Sequence, residues 1–456
     1  MYVADSRGTP APTGTPAPAA APGARPGRRA AVAPTVLALG TVSLVTDISS
    51  EMVTAVLPLY LVAGLGLTPL GFGLLDGLYN GVSALVRLTG GHLGDRTGRH
   101  KAVAGVGYGL SALGKPLLLL AHSVPAVGAV LALDRTGKGL RTAPRDALIS
   151  LSTPPEQRGR AFGVHRAMDT AGALIGPLLA FLILGYAADG YDAVFTVSAC
   201  VAALGVVVLA LFVPGHRTAP RPKPSPRPRP RASLRPAPAA PQADAGDGTA
   251  GDPGGTARAP DGRISLRASL VLLRRPDMRR ITVCALLLGL CTVSDAFVFL
   301  LLQHRTGLAD RWFALLPIGT AAAFLLLALP LGRLADRIGR WRVFVGGHLA
   351  LLLGYGLLLS PWHGPALPYA VLLLHGAFYA ATDGVLMAAA AGVVPEALRG
   401  GGLAVVQTGQ ALARFAASLG FGAAWTAWGE RPALAVAAVA LAAAAALSVR
   451  LRPADA

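Results

Sequence analysis

The stretch GHLGDRTGRHK, residues 91–101, decides how this chain is to be read. It carries four formal charges, yet long apolar runs lie directly on either side of it. It also recurs. At residues 332–342 the chain reads GRLADRIGRWR, with Gly, Leu, Asp-Arg, Gly-Arg and a closing basic residue in the same places, 241 positions later. A second pair keeps that offset: Arg158-Gly159 in PEQRGRAFG (155–163) is answered by Arg399-Gly400 in PEALRGGGLA (395–404). Charged loops written twice at constant spacing indicate two homologous halves, and paired halves are an architecture of membrane transporters with the substrate site between them.

The composition agrees. Of 456 residues, 53% are hydrophobic and 14% are charged, against about 25% charged in an average soluble domain. Spanning a bilayer takes about 20 mostly apolar residues. Runs of that length fall near 34–62, 70–90, 102–122, 124–146, 161–187 and 193–214, and again near 281–303, 312–333, 342–361, 366–392, 403–427 and 432–450. The expected fold is an all-α membrane protein, twelve transmembrane helices in two six-helix pseudo-symmetric halves, 34–214 and 281–452. Residues 1–33, rich in Ala, Pro and Gly, are expected to be a disordered cytoplasmic tail without the apolar core of a signal peptide. Residues 215–280 are expected to be a cytoplasmic linker, opening with a Pro/Arg run that no regular helix accommodates and continuing with too few apolar residues to fold alone.

The net charge of +18 would point to nucleic acid in a soluble chain. Here fourteen Lys and Arg against five Asp between Arg217 and Arg280 place +9 of it in one inter-helix segment. Basic loops mark the cytoplasmic side, and the loops near 91–101, 147–160, 215–280, 334–341 and 395–402 are Arg-rich, whereas 187–193 is acidic. Both termini are therefore expected in the cytoplasm, with the protein in the cell membrane. The cysteines, Cys200, Cys284 and Cys291, sit in apolar runs without metal-ligand spacing. The expected partners are a small-molecule substrate, protons and the lipid bilayer, in a monomer with no cofactor, metal or nucleic acid.

At residues 91–101 the sequence resembles the signature loop between helices 2 and 3 of the major facilitator superfamily. DRTGKGLR (134–141) is similar to that family's helix-4 motif, with Lys138 where a glutamine is more usual. Gly163, Gly172, Gly176 and Pro177 resemble the antiporter motif of its exporters, although the closing Gly-Gly is Ala180-Phe181 here. The resemblance implies alternating access, with Gly91, Gly94, Asp95, Arg96, Gly98 and Arg99 forming a gating loop, and Gly332, Asp336, Arg337, Gly339 and Arg340 its second copy. In physical terms, Gly91 and Gly94 permit close helix approach where lipid supplies no hydrophobic force. Asp95 at a helix end can accept hydrogen bonds from a neighbouring helix or pair with a basic group. The plainer reading of the Arg and Lys residues is a topology anchor.

Charges inside the spans are the stronger signal. Asp134, Lys138, Arg141 and Arg145 follow spacings of 4, 3 and 4, one stripe on a helix, with Arg135 beside it. Each central charge costs about 2.5–3.5 kcal/mol on an insertion scale, so Asp134, Arg135 and Lys138 together cost roughly 7–10 kcal/mol. The stripe must face water or opposite charge. Acids stand on other helices: Asp47 and Glu51 one turn apart, Asp76 (with Asn80 and Arg87 on its face), Asp169 (beside His165 and Arg166), Asp295, and Asp383 in a stripe with His375 and Tyr379; Arg414 follows Gln407 and Gln410. Intramembrane ionisable groups default to function; a structural ion-pair network is the bland alternative. A carboxylate beside a cation in a partly dry cavity suits proton coupling, because protonating the acid frees the cation. Asp47, Glu51, Arg135 and Lys138 are expected to form that unit, with Asp134, Arg141, Asp169, Asp295, Asp383 and Arg414 completing the cavity. His165, His348 and His375 are expected to be satisfied core residues.

The function expected is proton-coupled export of a small polar or charged metabolite or drug. Proton-coupled uptake and metal-ion export by the same fold are the alternatives within transport, and a membrane sensor or scaffold is the alternative outside it. No enzyme is expected: HExxH, GxSxG and DDxxD are absent, as is the phosphate-cradling GxxxxGK[ST] of nucleotide-driven pumps. With aromatics at 6%, a polar pocket for an anionic or zwitterionic compound is favoured over an aromatic-lined one.

Overall fold

The computed structural model describes residues 33–97, 99–154, 157–214, 272–394 and 399–451. The described residues are almost entirely helical. In the first half the helices are α1 (Pro34–Leu59, extended by a π-helical turn Tyr60–Gly64), α2 (Pro69–Thr97), α3 (His100–Leu120), α4 (Val124–Leu151), α5 (Arg158–Tyr186) and α6 (Gly190–Phe212). The second half contains α7 (Pro276–Leu290), α8 (Asp295–Thr306), α9 (Asp310–Phe313), α10 (Leu316–Ile338), α11 (Arg340–Leu359), α12 (Leu367–Val393), α13 (Arg399–Trp428) and α14 (Glu430–Arg450). Two apolar runs are thus interrupted: α7 and α8 form one span broken at Cys291–Ser294, and α9 leads into α10. Helix α7 begins at Pro276, five residues before the apolar run of the sequence, because Pro fits the first helical turn, where no partner for its nitrogen is needed.

Nine of these helical stretches are long and apolar enough to cross a membrane by length and composition. The others of spanning length, α2, α4 and α13, are more polar. Helix α4 contains six charged residues, yet its 28 residues would reach about 42 Å at 1.5 Å per residue, past a 30 Å hydrocarbon layer. Polar helices survive there only by facing one another or a cavity. Helix α2 packs on α4 within its half and on α13 of the other half.

The contact between α2 and α13 is backbone to backbone. A Cβ on Gly73 would meet the Ser418 carbonyl oxygen, and one on Gly422 would meet the Pro69 carbonyl oxygen. The amide of Leu70 donates to Thr426 Oγ1 at 2.9 Å, and Ser418 Oγ donates to Asp76 at 2.7 Å. Beside them the Tyr191 hydroxyl donates to Asp310, Phe72 meets Phe297 edge-on, and Phe181 packs on Trp312. All these contacts between the halves lie at the end that carries the short connections 65–68, 187–189, 307–309 and Gly429.

Candidate functional site: a charge ladder beside a central cavity

The stripe on α4 meets a matching row on α1. The two helices run antiparallel, so ascending residues of one face descending residues of the other. Lys138 Nζ lies 3.5 Å from Glu51, Arg141 lies 3.4 Å from Asp47, and Arg145 Nη1 donates to Ser43 Oγ at 3.2 Å. Arg145 also reaches Asp146 at 3.1 Å and Asp169 of α5 at 3.6 Å. Asp169 lies against Asp47 and is within 3.5 Å of Arg166. Helix α5 comes this close because of its glycines. A Cβ on Gly172 would strike the Leu44 carbonyl and approach the Cβ of Asp47, and one on Gly176 would strike Ile48 and Glu51. Two glycines of the antiporter-like motif therefore seat α5 at the height of the two acids. Gly163 has no neighbour of this kind, and Pro177 is buried.

Arg135 is held chiefly by its own helix. It binds Asp134 through Nε at 3.0 Å and Nη2 at 2.6 Å and stacks on the Tyr79 ring at 3.7 Å, with the Glu51 carboxyl group within electrostatic reach. The Tyr79 hydroxyl is 2.6 Å from Thr54 of α1. Asp134 further accepts from Ser111 at 2.6 Å and from Lys115 at 2.9 Å. This cluster is 2–5% exposed. Removing one member of such a network leaves an uncompensated charge in a medium that cannot solvate it. Lys115 escapes sequence reasoning because it stands alone in an apolar run; a lone lysine at mid-span is itself the usable signal.

A cavity of about 340 Å³ lies between the halves, toward the middle of the bundle from the packed end. Among the described residues, Glu51, Asp295, Asp383 and Arg414 of the expected set line it, together with Asp76. The others do not: Asp47, Lys138, Arg141 and Asp169 are drawn into the contact of α1, α4 and α5, and Asp134 and Arg135 into the cluster with Ser111, Lys115 and Tyr79. The lining is also far more aromatic than the average composition implies, with Phe72, Tyr79, Phe299, Phe313, Phe344, Phe378 and Tyr379. Asp295, the first residue of α8 after the break, accepts from the Tyr379 hydroxyl at 2.6 Å and lies 3.1 Å from His375 Nε2. His375 is buried in the core and satisfied at Nε2 by this carboxylate. His348 does satisfy itself locally, through the Phe344 carbonyl at 2.9 Å. Among the described residues, no three His, Cys, Asp or Glu side chains converge as a metal site would require.

Of the gating positions, Gly91, Gly94, Asp95 and Arg96 lie in the last turns of α2; their side chains, and Gly98 altogether, fall outside the described residues. Arg99 is exposed. In the second copy, Gly339 turns the chain between α10 and α11 at φ +102°, a conformation that favours glycine. Asp336 pairs with Arg340 at 3.7 Å, Arg340 also donates to the Ala388 carbonyl of α12, and Gly332 and Arg337 face away from the core.

The sequence profile described as Major Facilitator Superfamily matches residues 39–325 and 312–456. The chain belongs to the major facilitator superfamily. It is a multi-pass membrane protein of that family, with the twelve-span fold of two halves. It is 38% identical over 176 residues to MJ1317 of Methanocaldococcus jannaschii, described as an uncharacterized MFS-type transporter, a match covering 38% of this chain and 43% of that one. It is 31% identical over 166 residues to the multidrug resistance protein MdtH of Photorhabdus laumondii, covering 36% and 40%. The chain thus spans less than half the length of these relatives. Among solved structures, the nucleoside transporter NupG superposes with a TM-score of 0.71 at 12% identity, over 91% of this chain and 98% of that one. An inward-facing bacterial homologue of the lysosomal transporter Spinster superposes at 0.68 with 14% identity, over 91% and 96%. These two likenesses concern the fold alone.

Proposed function

We propose that this transporter exports a small molecule in exchange for protons, by alternating access of the cavity between its halves. One observation carries the coupling: among the described lining residues, Glu51 alone also belongs to the α1–α4 ladder. A proton arriving at Glu51 removes the charge that holds Lys138, loosening α1 from α4; a substrate entering the cavity meets the same carboxyl group. Competition for one group is the simplest way to make two fluxes exclude each other. Asp47 and Asp169, sharing Arg141 and Arg145, form the continuation of the path along the ladder.

In this reading the packed end faces outside, both termini are cytoplasmic and the cavity belongs to an inward-facing state in the plasma membrane, which the basic loops at the other end support. Export is supported by the Gly172 and Gly176 contacts at the acids and by a relative named a multidrug resistance protein. The gating role of the loop at residues 91–101 rests on its resemblance to the family signature. The decisive measurement is transport in proteoliposomes under an imposed pH gradient. Glu51→Gln should abolish proton-driven transport and spare exchange of substrate down its own gradient. Full proton-driven transport by that variant would show that coupling resides elsewhere.

A further inference from the structure

We infer that the cavity is a binding site for an amphipathic organic cation, with Asp295 as its anchoring carboxylate. This rests on the transport reading above and adds the chemical class of what is carried.

The lining decides the sign. Four carboxylic acids, Glu51, Asp76, Asp295 and Asp383, face one guanidinium, Arg414. Glu51 has Lys138 at 3.5 Å, and Asp76 accepts from Ser418. Among the described residues, no Lys or Arg stands within 4 Å of Asp295 or Asp383. The partners of Asp295 are a phenol and an imidazole, and its side chain is 46% exposed while that of His375 is 2%. Two donors thus fix the carboxyl group from behind and leave its other side to the cavity. An anion entering here would meet an excess of negative charge at short range, where low dielectric amplifies repulsion.

The remaining surface decides the shape. Tyr379, which donates to Asp295, packs on Phe378, and Phe299 packs on His375, so the cavity wall beside this carboxyl group is aromatic; aromatic faces attract a cation through their quadrupole, most strongly when it is desolvated. Phe72 and Phe344 extend the apolar wall. A hydrated metal ion or a polar metabolite would leave that wall unmatched, whereas a cation embedded in hydrocarbon or aromatic rings meets both features. A volume of about 340 Å³ lies at the lower end of drug-sized pockets.

The test uses tetraphenylphosphonium, a permanent cation without hydrogen-bonding groups, and tetraphenylborate, its anionic counterpart of equal shape. The full-length purified protein should bind radiolabelled tetraphenylphosphonium saturably, and ethidium should displace it while tetraphenylborate does not. Asp295→Asn should weaken that binding by about tenfold or more, Asp383→Asn by a smaller factor, and Asp295→Glu should restore most of the loss. Should Asp295→Asn not fold, the Asp383→Asn effect carries the test alone. Absence of saturable cation binding, equal binding of the borate, or undiminished binding by both Asn variants would overturn the assignment. Uptake into proteoliposomes separates the two readings. Saturable binding without pH-driven movement would overturn proton-coupled transport and leave the cation site standing. Proton-coupled movement of another compound, with no cation binding, would do the reverse.

Discussion

In both halves the fourth helix turns a stripe toward the first, but the two stripes are written in different chemistry. Adding the repeat offset of 241 to Asp134 and Lys138 gives His375 and Tyr379. In the N-terminal half the stripe is cationic and meets Asp47 and Glu51 as ion pairs. In the C-terminal half a phenol and an imidazole meet Asp295, and among the described residues no Lys or Arg pairs with it within 4 Å. The first span differs as well: α1 is continuous, whereas its counterpart breaks immediately before Asp295. One inherited arrangement thus serves two purposes. Charges paired with Lys and Arg hold three helices in register and respond to protons; a carboxylate on a broken helix, held by a phenol and an imidazole, is available to something that comes and goes.

The comparison breaks most severely if Asp134 is neutralised. Asp134→Asn leaves Lys115 and Arg135 buried without their shared acceptor, a change worth about 3–5 kcal/mol in buried pairs, and should sharply reduce the yield of monodisperse protein and its thermal midpoint. Asp295→Asn, by contrast, should purify normally. Equal behaviour of the two variants in size-exclusion and thermal unfolding would erase the distinction drawn between the halves.

Next in size is the loss of coupling. Glu51→Gln should abolish proton-driven transport while changing stability by no more than about 1 kcal/mol, since its pair with Lys138 is 26–33% exposed and partly exposed pairs contribute little. Parallel losses of folding and transport in that variant would reduce the ladder to a structural clamp.

A more limited effect is expected where the halves close. Gly73→Ala drives a methyl group into the Ser418 carbonyl oxygen, which only a separation of α2 from α13 relieves. Disulfide formation between Leu70→Cys and Thr426→Cys should slow in that background. An unchanged rate would mean that the packed end is not the moving closure. Asp95→Asn should insert normally and impair transport, and wild-type transport at normal expression would remove the latch role. The smallest effect is expected from deleting Pro220 to Gly262, a segment too polar and Pro-rich for a helical core. Transport should persist, and loss of folded protein would show that the segment takes part in the fold.

Much of this was open to sequence reasoning, and the exceptions share a cause. The repeated loop and the apolar runs specify the two halves because bilayer thickness permits few other uses of such segments. The α4 stripe is legible because helical period turns spacing into a face. Which acid meets which cation is not, since that depends on the relative height of two helices, set by Gly172 and Gly176 packing on a third. Arg135 illustrates this: a rotation of one residue from the stripe directs it to Tyr79 and its own neighbour. The aromatic wall is invisible to composition because a small total is concentrated in one place. The break at Cys291–Ser294 is hidden too, because residues 281–303 read as one apolar run and contain neither Pro nor an unusual Gly pattern at that point.

That break has a mechanical consequence. A rod hydrogen-bonded along its length passes bending from one end to the other; a rod severed over four residues does not. Across the gap, the amide of Val293 is held by the Tyr355 hydroxyl of α11 at 2.8 Å, so the joint is pinned to a neighbour and not left loose. Helix α8 can therefore tilt about a fixed pivot while α7 keeps its place among α12, α13 and α14. Asp295, the residue nearest that pivot, would turn by a large angle yet travel only a short distance.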